Sequence, residues 1–143
     1  MVDTDRMPLT REEREEFLAE PHVASLAVAA GPDRGPLMMP IWYFYEPGGA
    51  VWISTEAGSR KAKLIAETGR FSLLVQRVRP TTRYVGVEGS VVDTRPTTDD
   101  EIRSIARRYL PADKVEPYVD FARGEQRIEL RPEHWLSSDL GQP

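Results

Sequence analysis

The sequence WISTEAGSRKAKLIAE, residues 52–67, begins like a β-strand and ends like a helix. Ser54 and Thr55 close the apolar run, and a turn at Gly58 leads to Ser59, a favourable helix N-cap. This spacing predicts a strand that delivers two hydroxyl groups to the start of a helix.

Three cations, Arg60, Lys61 and Lys63, occupy the first turn of this predicted helix. A helix N-terminus carries about half a positive charge, so each exposed cation there costs about 0.3–1 kcal/mol unless an anion offsets it. Free amides, the helix dipole and flexible cations around one point are the ingredients of a phosphate site. The alternative is an exposed basic helix that keeps the surface soluble. The position of the cations favours the phosphate site.

Short apolar runs separated by turn signals surround this stretch. They cover residues 22–30, 36–46, 50–55, 70–78, 83–93 and 126–135. Within the run 36–46, residues 40–45 are apolar at successive positions, so both faces of this strand require burial, against a helix of the same monomer, a second subunit or a flat ligand. Without βαβ alternation, the pattern predicts a mainly β (α+β) fold, a small β-barrel with peripheral helices.

Helices are predicted on either side of these runs. Thr10 begins a capping-box pattern for a helix over about residues 10–19, and Thr98 begins another within a helical insertion at about residues 97–124. Gly69 lies where the C-terminal cap of the helix after Ser59 belongs. The length predicts one domain over residues 1–143.

The composition disfavours several classes of protein. A net charge of −4 lacks the basic surplus of a nucleic-acid binder, and no apolar run has membrane-spanning or signal-peptide length. We therefore expect a cytoplasmic protein with neither nucleic acid nor membrane as a partner. There is no cysteine, and the two histidines fit no metal or nucleophile pattern. No metal site is expected and no catalytic residue can be assigned, so a bound cofactor would carry any reaction.

Three segments together resemble one known family. VWISTEAGSRKAKLIAETGRFSLLV (residues 51–75), MMPIWYFY (38–45) and RIELRPEHWLSSDL (127–140) are similar to the pyridoxamine 5′-phosphate oxidase-like split-barrel superfamily. The resemblance implies a six-stranded split β-barrel of the FMN-binding type. It also implies a homodimer with flavin-type cofactors bound at the subunit interface.

The resemblance further implies which residues bind the cofactor. Ser59, Arg60 and Lys61 would hold its phosphate, with Lys63 nearby. Ser54 and Thr55 would line the phosphate and ribityl end. The remaining implied residues, along the ring and closing the pocket, are Met39, Pro40, Ile41, Trp42, Gln76 and Trp135.

The chain departs from the family members that oxidise pyridoxamine phosphate. Residues 38–45 lack their basic strand residues and the C-terminus lacks their arginine-containing segment, so vitamin B6 oxidation is not expected. Residues 40–42 look more like the branch that uses the deazaflavin F420, whereas residues 59–61 look like an FMN site, and F420 is slightly preferred. The expected function is an oxidoreductase that transfers hydride to a small conjugated or unsaturated molecule. The alternative is a non-catalytic flavin, deazaflavin or haem-binding protein that acts as a carrier or sensor.

Overall fold

The computed structural model describes residues 8–141, which form four helices and eight strands. In chain order these are α1 (Arg11–Ala19), β1 (Ala24–Val28), β2 (Leu37–Ile41), β3 (Phe44–Tyr45), β4 (Val51–Thr55), α2 (Arg60–Thr68), β5 (Arg70–Arg77), β6 (Arg83–Pro96), α3 (Asp99–Tyr109), α4 (Ala112–Ala122), β7 (Gln126–Leu130) and β8 (His134–Asp139). The predicted mainly β fold with peripheral helices is confirmed, but the expected number of six strands is wrong. Within the described residues, no helix is both long and apolar enough to cross a bilayer.

The two additional strands arise because two predicted runs are interrupted. The run 36–46 divides into β2 and β3 at Tyr43, whose backbone N–H donates to the Tyr109 hydroxyl at 3.4 Å instead of to a strand. The Tyr43 hydroxyl in turn donates to a carbonyl at the end of α1 at 2.6 Å. The run 126–135 divides into β7 and β8 around Pro132, which has no N–H to donate to a ladder.

All the paired strands are antiparallel, in the order β2-β1-β5-β6-β7-β4-β3, with β8 also on β6. The first half of β6 pairs with β5 and β8, and its second half pairs with β7 after a bulge between Val91 and Asp93. At Gly89 a Cβ would lie 1.8 Å from the Arg131 carbonyl oxygen, so only glycine lets the connection from β7 to β8 pass this close. Strand β6 therefore joins two sub-sheets into a half-barrel.

The main core lies inside this half-barrel and combines buried apolar side chains from α1, α2 and the strands. The α3–α4 hairpin is outside it and has a small apolar cluster of its own, formed by Ile102, Val119 and Ala122. The hairpin thus lies as a separate layer against one end of the sheet, which leaves room for a cavity between the two.

The predicted helix caps are confirmed. Helices α1 and α3 begin with capping boxes at Thr10 and Thr98. The Ser59 hydroxyl accepts from the Ala62 N–H at 3.3 Å, which starts α2 directly after β4 and a short turn. Gly69 ends α2 in the left-handed conformation, with φ of 71°. These caps place the first turn of α2 beside the end of β4.

Candidate functional site

A cavity of about 390 Å³ lies between the sheet and the α3–α4 hairpin. Strands β2 and β4, the first turn of α2, both helices of the hairpin and the turn after α4 contribute to its wall. The lining residues are Val23, Pro40, Ile41, Trp42, Ser54, Thr55, Lys61, Ile102, Ile105, Tyr118 and Glu125. Six residues predicted from sequence therefore meet in one cavity: Pro40, Ile41, Trp42, Ser54, Thr55 and Lys61.

The polar end of the cavity is built by the end of β4 and the start of α2. Thr55 is buried, and its hydroxyl lies 3.4 Å from that of Ser59. The backbone N–H groups of Arg60 and Lys61 have no acceptor among residues 8–141. The side chains of Arg60, Lys61 and Lys63 also form no ion pair with any residue between 8 and 141. The start of α2 therefore presents hydrogen-bond donors and positive charge that the described chain does not use.

Glu125 also belongs to the polar end of the cavity, and no sequence motif indicated it. The Ser54 hydroxyl donates to Glu125 Oε1 at 2.8 Å and lies 2.8 Å from the Thr97 hydroxyl. Burial raises the pKa of Glu125, and the nearby Glu56 carboxylate adds to this rise, while the Ser54 hydrogen bond and the Lys61 ammonium oppose it. A carboxyl group that takes up a proton more readily than an exposed glutamate thus lies beside the unused donors.

Aromatic side chains form the apolar end. Trp42 stacks on Tyr109, with ring centroids 4.7 Å apart and planes 10° apart, and lies 5.2 Å from the Tyr118 ring. The Tyr109 hydroxyl donates to the His22 carbonyl at 2.8 Å, which ties α3 to the sheet. Burial also raises the pKa of Tyr118. The wall is therefore fixed by contacts between the hairpin and the break after β2.

The sequence did not indicate that residues of the α3–α4 hairpin and the turn after it line the cavity, although the spacing of two of them indicated burial. Ile102 and Ile105 have the i, i+3 spacing of one helix face, and both are buried. That spacing indicates burial without saying what the face meets. Tyr118 and Glu125 have no such pattern, and Glu125 is 71 residues from its partner Ser54.

Four residues of the predicted site lie outside the cavity. Met39 is half-buried on β2, and Gln76 is exposed on β5. Lys63 is exposed and lines a different groove of the surface. Trp135 lies on β8, where the Arg14 guanidinium stacks 4.6 Å from its ring. Ser59 and Arg60 border the cavity at the start of α2 without lining it.

Neither histidine lines the cavity. The His22 ring lies on that of Phe17, with centroids 4.4 Å apart, and His134 is exposed at the start of β8. Over the described part of the chain, no group of three or more histidine, aspartate or glutamate side chains could hold a metal ion.

The antiparallel half-barrel, with β6 shared between two sub-sheets and a polar-to-aromatic cavity at one end, defines a split-barrel protein. The family model for pyridoxamine 5′-phosphate oxidase matches residues 10–138, so the chain belongs to this family. No curated protein matches the sequence significantly.

Solved structures share the fold. The conserved hypothetical protein Rv2991 from Mycobacterium tuberculosis is 23% identical with a TM-score of 0.75, over 97% of this chain and 90% of that one. An F420 reductase is 23% identical with a TM-score of 0.68, over 85% and 94% of the two chains. A FAD-binding protein from Mesorhizobium loti is 16% identical with a TM-score of 0.67, over 93% and 96%. At these identities the likeness shows the fold alone.

Proposed function

We propose that this protein is an oxidoreductase that binds F420, or alternatively FMN, and passes hydride from the reduced cofactor to a small conjugated or unsaturated molecule. The proposal is based on one observation: the same cavity contains unused hydrogen-bond donors at the start of α2 and an apolar wall at residues 40–42. Membership of the family and the similar folds of an F420 reductase and a FAD-binding protein support a flavin-type cofactor.

The residues present fit such a cofactor. The amides of Arg60 and Lys61, the Lys61 ammonium and the hydroxyls of Ser54 and Thr55 would hold the phosphate. The segment 40–42 would lie along the ring system. The bound cofactor would supply the hydride chemistry, while the chain orients it and keeps water from the ring. Vitamin B6 oxidation remains outside the proposal, because residues 38–45 contain no basic side chain.

A second copy of the chain completes the site in this proposal. A cavity of about 390 Å³ is near the lower end of the range of about 300–1,000 Å³ that is typical of ligand pockets. The outer face of the first sub-sheet exposes Met38 (64%), Leu74 (38%) and Leu136 (57%), and such an apolar patch is typical of an interface. The neighbouring Trp135 has its ring on the core side of β8, 6.3 Å from the Tyr45 ring, so a homodimer formed through this patch would not use that side chain.

Sedimentation tests the dimer. We expect the wild type to sediment as a dimer and Leu136→Glu, which buries a charge in the proposed interface, to sediment as a monomer with weaker cofactor binding. A monomeric wild type that binds cofactor would exclude the two-subunit site.

Titration and turnover together test the function. The purified protein is titrated separately with F420, FMN and riboflavin, which lacks the phosphate, and the reduced cofactors are then mixed with a panel of enones and quinones. We expect the phosphate-bearing cofactors to bind more tightly than riboflavin, and at least one acceptor to reoxidise the reduced cofactor. If neither F420 nor FMN binds, the site is wrong; tight binding without turnover of any acceptor would make the protein a carrier or sensor.

A further inference from the structure

We propose that Glu125 determines which phosphate the site accepts, because the site takes up a dianionic phosphomonoester only when this carboxyl group is protonated and accepts a monoanionic phosphodiester with a smaller penalty when it is ionised. The inference rests on the proposed function and deepens it by naming a residue that discriminates between the two candidate cofactors. Glu125 lies beyond the segments that the family resemblance assigned to the cofactor.

The backbone holds Glu125 in the cavity wall. Its N–H donates to the Ala122 carbonyl at 3.1 Å, and its own carbonyl accepts from the Thr97 N–H at 3.0 Å. Its side chain is held by the Ser54 hydroxyl at 2.8 Å. The carboxyl group is therefore fixed beside the polar end of the cavity, where an incoming phosphate would meet it.

The proton of Ser54 links Glu125 to the phosphate. A serine hydroxyl has one proton, and when it is donated to an ionised Glu125 it cannot be donated to a ligand. A protonated Glu125 is itself a donor and releases the Ser54 proton. Protonation of Glu125 therefore removes a negative charge from the cavity wall. It also leaves both the Glu125 carboxyl and the Ser54 hydroxyl able to donate a hydrogen bond to a phosphate.

The charges around Glu125 oppose a phosphate unless that proton is present. Lys61, from α2, is the positive charge that faces it, and Glu56, from the turn before α2, is a second negative one. From α4 the neutral phenol of Tyr118 faces it, and α3 contributes apolar side chains to the cavity. An ionised Glu125 would leave the phosphate with two carboxylates and a single lysine side chain, so the approach of a phosphate favours the neutral acid.

The two candidate cofactors differ in the charge that reaches this point. FMN ends in a phosphomonoester, whose second ionisation has a pKa near ~6, so its charge approaches −2 at neutral pH. The phosphodiester of F420 keeps one negative charge. An ionised Glu125 therefore disfavours FMN more than F420, which agrees with the slight preference for F420.

Binding measured against pH tests the inference. FMN, F420 and riboflavin are titrated against the wild type and Glu125→Gln between pH 5.5 and 8.5, with Glu46→Gln as a control that removes an exposed carboxylate that does not line the cavity. Above the pKa of Glu125, wild-type affinity for FMN should fall by about tenfold per pH unit relative to Glu125→Gln, because one proton is taken up on binding. The ionisation of the FMN phosphate affects the wild type and Glu125→Gln equally, so it cancels when the two pH profiles are compared. We expect a smaller fall for F420, and no change for riboflavin or Glu46→Gln.

The outcomes separate this inference from the function on which it rests. If neither phosphate-bearing cofactor binds either protein at any pH, the proposed function fails. If both cofactors bind and Glu125→Gln has the same pH profile as the wild type, or binds FMN more weakly, the inference about Glu125 is overturned and the function stands. If Glu125→Gln does not fold, the wild-type profiles decide, because equal pH dependence for F420 and riboflavin would overturn the inference.

Discussion

The two ends of the α3–α4 hairpin carry carboxyl groups in opposite electrostatic situations. At the start of α3, Glu101 receives two hydrogen bonds from Arg95, at 2.8 and 2.6 Å, and Arg127 Nε lies 3.0 Å away. The Arg95 hydrogen bonds lower the pKa of Glu101 to about 2. Beyond α4, Glu125 has a serine hydroxyl as its hydrogen-bond partner, and burial raises its pKa.

The cations show the same contrast. Four arginines around the hairpin and β6–β7 form ion pairs with carboxylates: Arg95, Arg103, Arg123 and Arg127. Three cations at the start of α2 have no such partner within residues 8–141: Arg60, Lys61 and Lys63. Charges that are paired inside the chain contribute to its stability, whereas unpaired charges beside a cavity are available for a ligand. Substitutions in the two regions should therefore affect different measurements.

The largest effect on stability is expected from Arg127→Met. The Arg127 side chain is 12% exposed, lies between Glu101 and Glu129, and stacks 4.8 Å from the Trp52 ring. Its Nε is within ion-pair distance of Glu101 but outside hydrogen-bond geometry, whereas its Nη1 donates to Glu129 Oε1 at 2.8 Å. Removing it leaves two carboxylates without this partner and should lower the free energy of unfolding by about 2–4 kcal/mol in urea titrations.

Arg107→Met is the matched control for this change. Arg107 is exposed on α3 and has no ion pair in the described part of the chain. We expect it to change stability by less than about 0.5 kcal/mol. Equal stabilities of the two variants would show that the paired region contributes nothing.

A smaller, pH-dependent effect is expected from Glu101→Gln. Glutamine retains the capping box with Thr98, so the change isolates the charge. We expect a loss of about 1.5–3 kcal/mol at pH 7, as for a hydrogen bond to a charged group. The pKa of Glu101 is about 2 in the folded chain against an ordinary 4.5. The wild-type advantage should therefore be complete above the ordinary value and disappear as the pH falls towards the folded one.

Urea titrations of Glu101→Gln and the wild type from pH 7 to pH 2 measure this difference. A difference that stays constant across the range would mean that the lost stability comes from packing or capping rather than from the carboxylate charge.

The smallest effect on stability is expected in the unpaired region, from Lys61→Ala. Lys61 forms no ion pair within residues 8–141, although its ammonium faces Glu125, and it lies at the positive end of the α2 dipole. The change should therefore alter the free energy of unfolding by less than about 0.5 kcal/mol. A loss above about 1 kcal/mol in the same urea titration would assign Lys61 a structural role instead.

The features that sequence predicted depend on near neighbours. The caps at Thr10, Ser59 and Thr98 are contacts over a few residues, and they start helices where the spacing indicated. The eight strands could not be predicted, because Tyr109 takes the N–H of Tyr43 from 66 residues away.

The residues of the site likewise fall into those that a local sequence pattern indicated and those that only tertiary packing brings to the cavity. Residues on β2, β4 and α2, such as Ile41 and Lys61, were indicated by a strand-turn-helix pattern and a family resemblance, and they line the cavity. Tyr118 and Glu125 complete its wall through the packing of the hairpin, which no local pattern specifies. Sequence therefore indicated the donors of the proposed phosphate site but not the carboxyl group that faces them.

The most direct test of the central claim is the affinity of Lys61→Ala for F420 and FMN, compared with that of Lys114→Ala, which removes an exposed lysine of α4. Loss of a charge-assisted contact to the phosphate should weaken binding by about 10–150-fold, with riboflavin affinity unchanged. Lys114→Ala should bind all three compounds like the wild type. If Lys61→Ala binds both cofactors as tightly as the wild type, the unpaired charges at the start of α2 do not form a cofactor phosphate site.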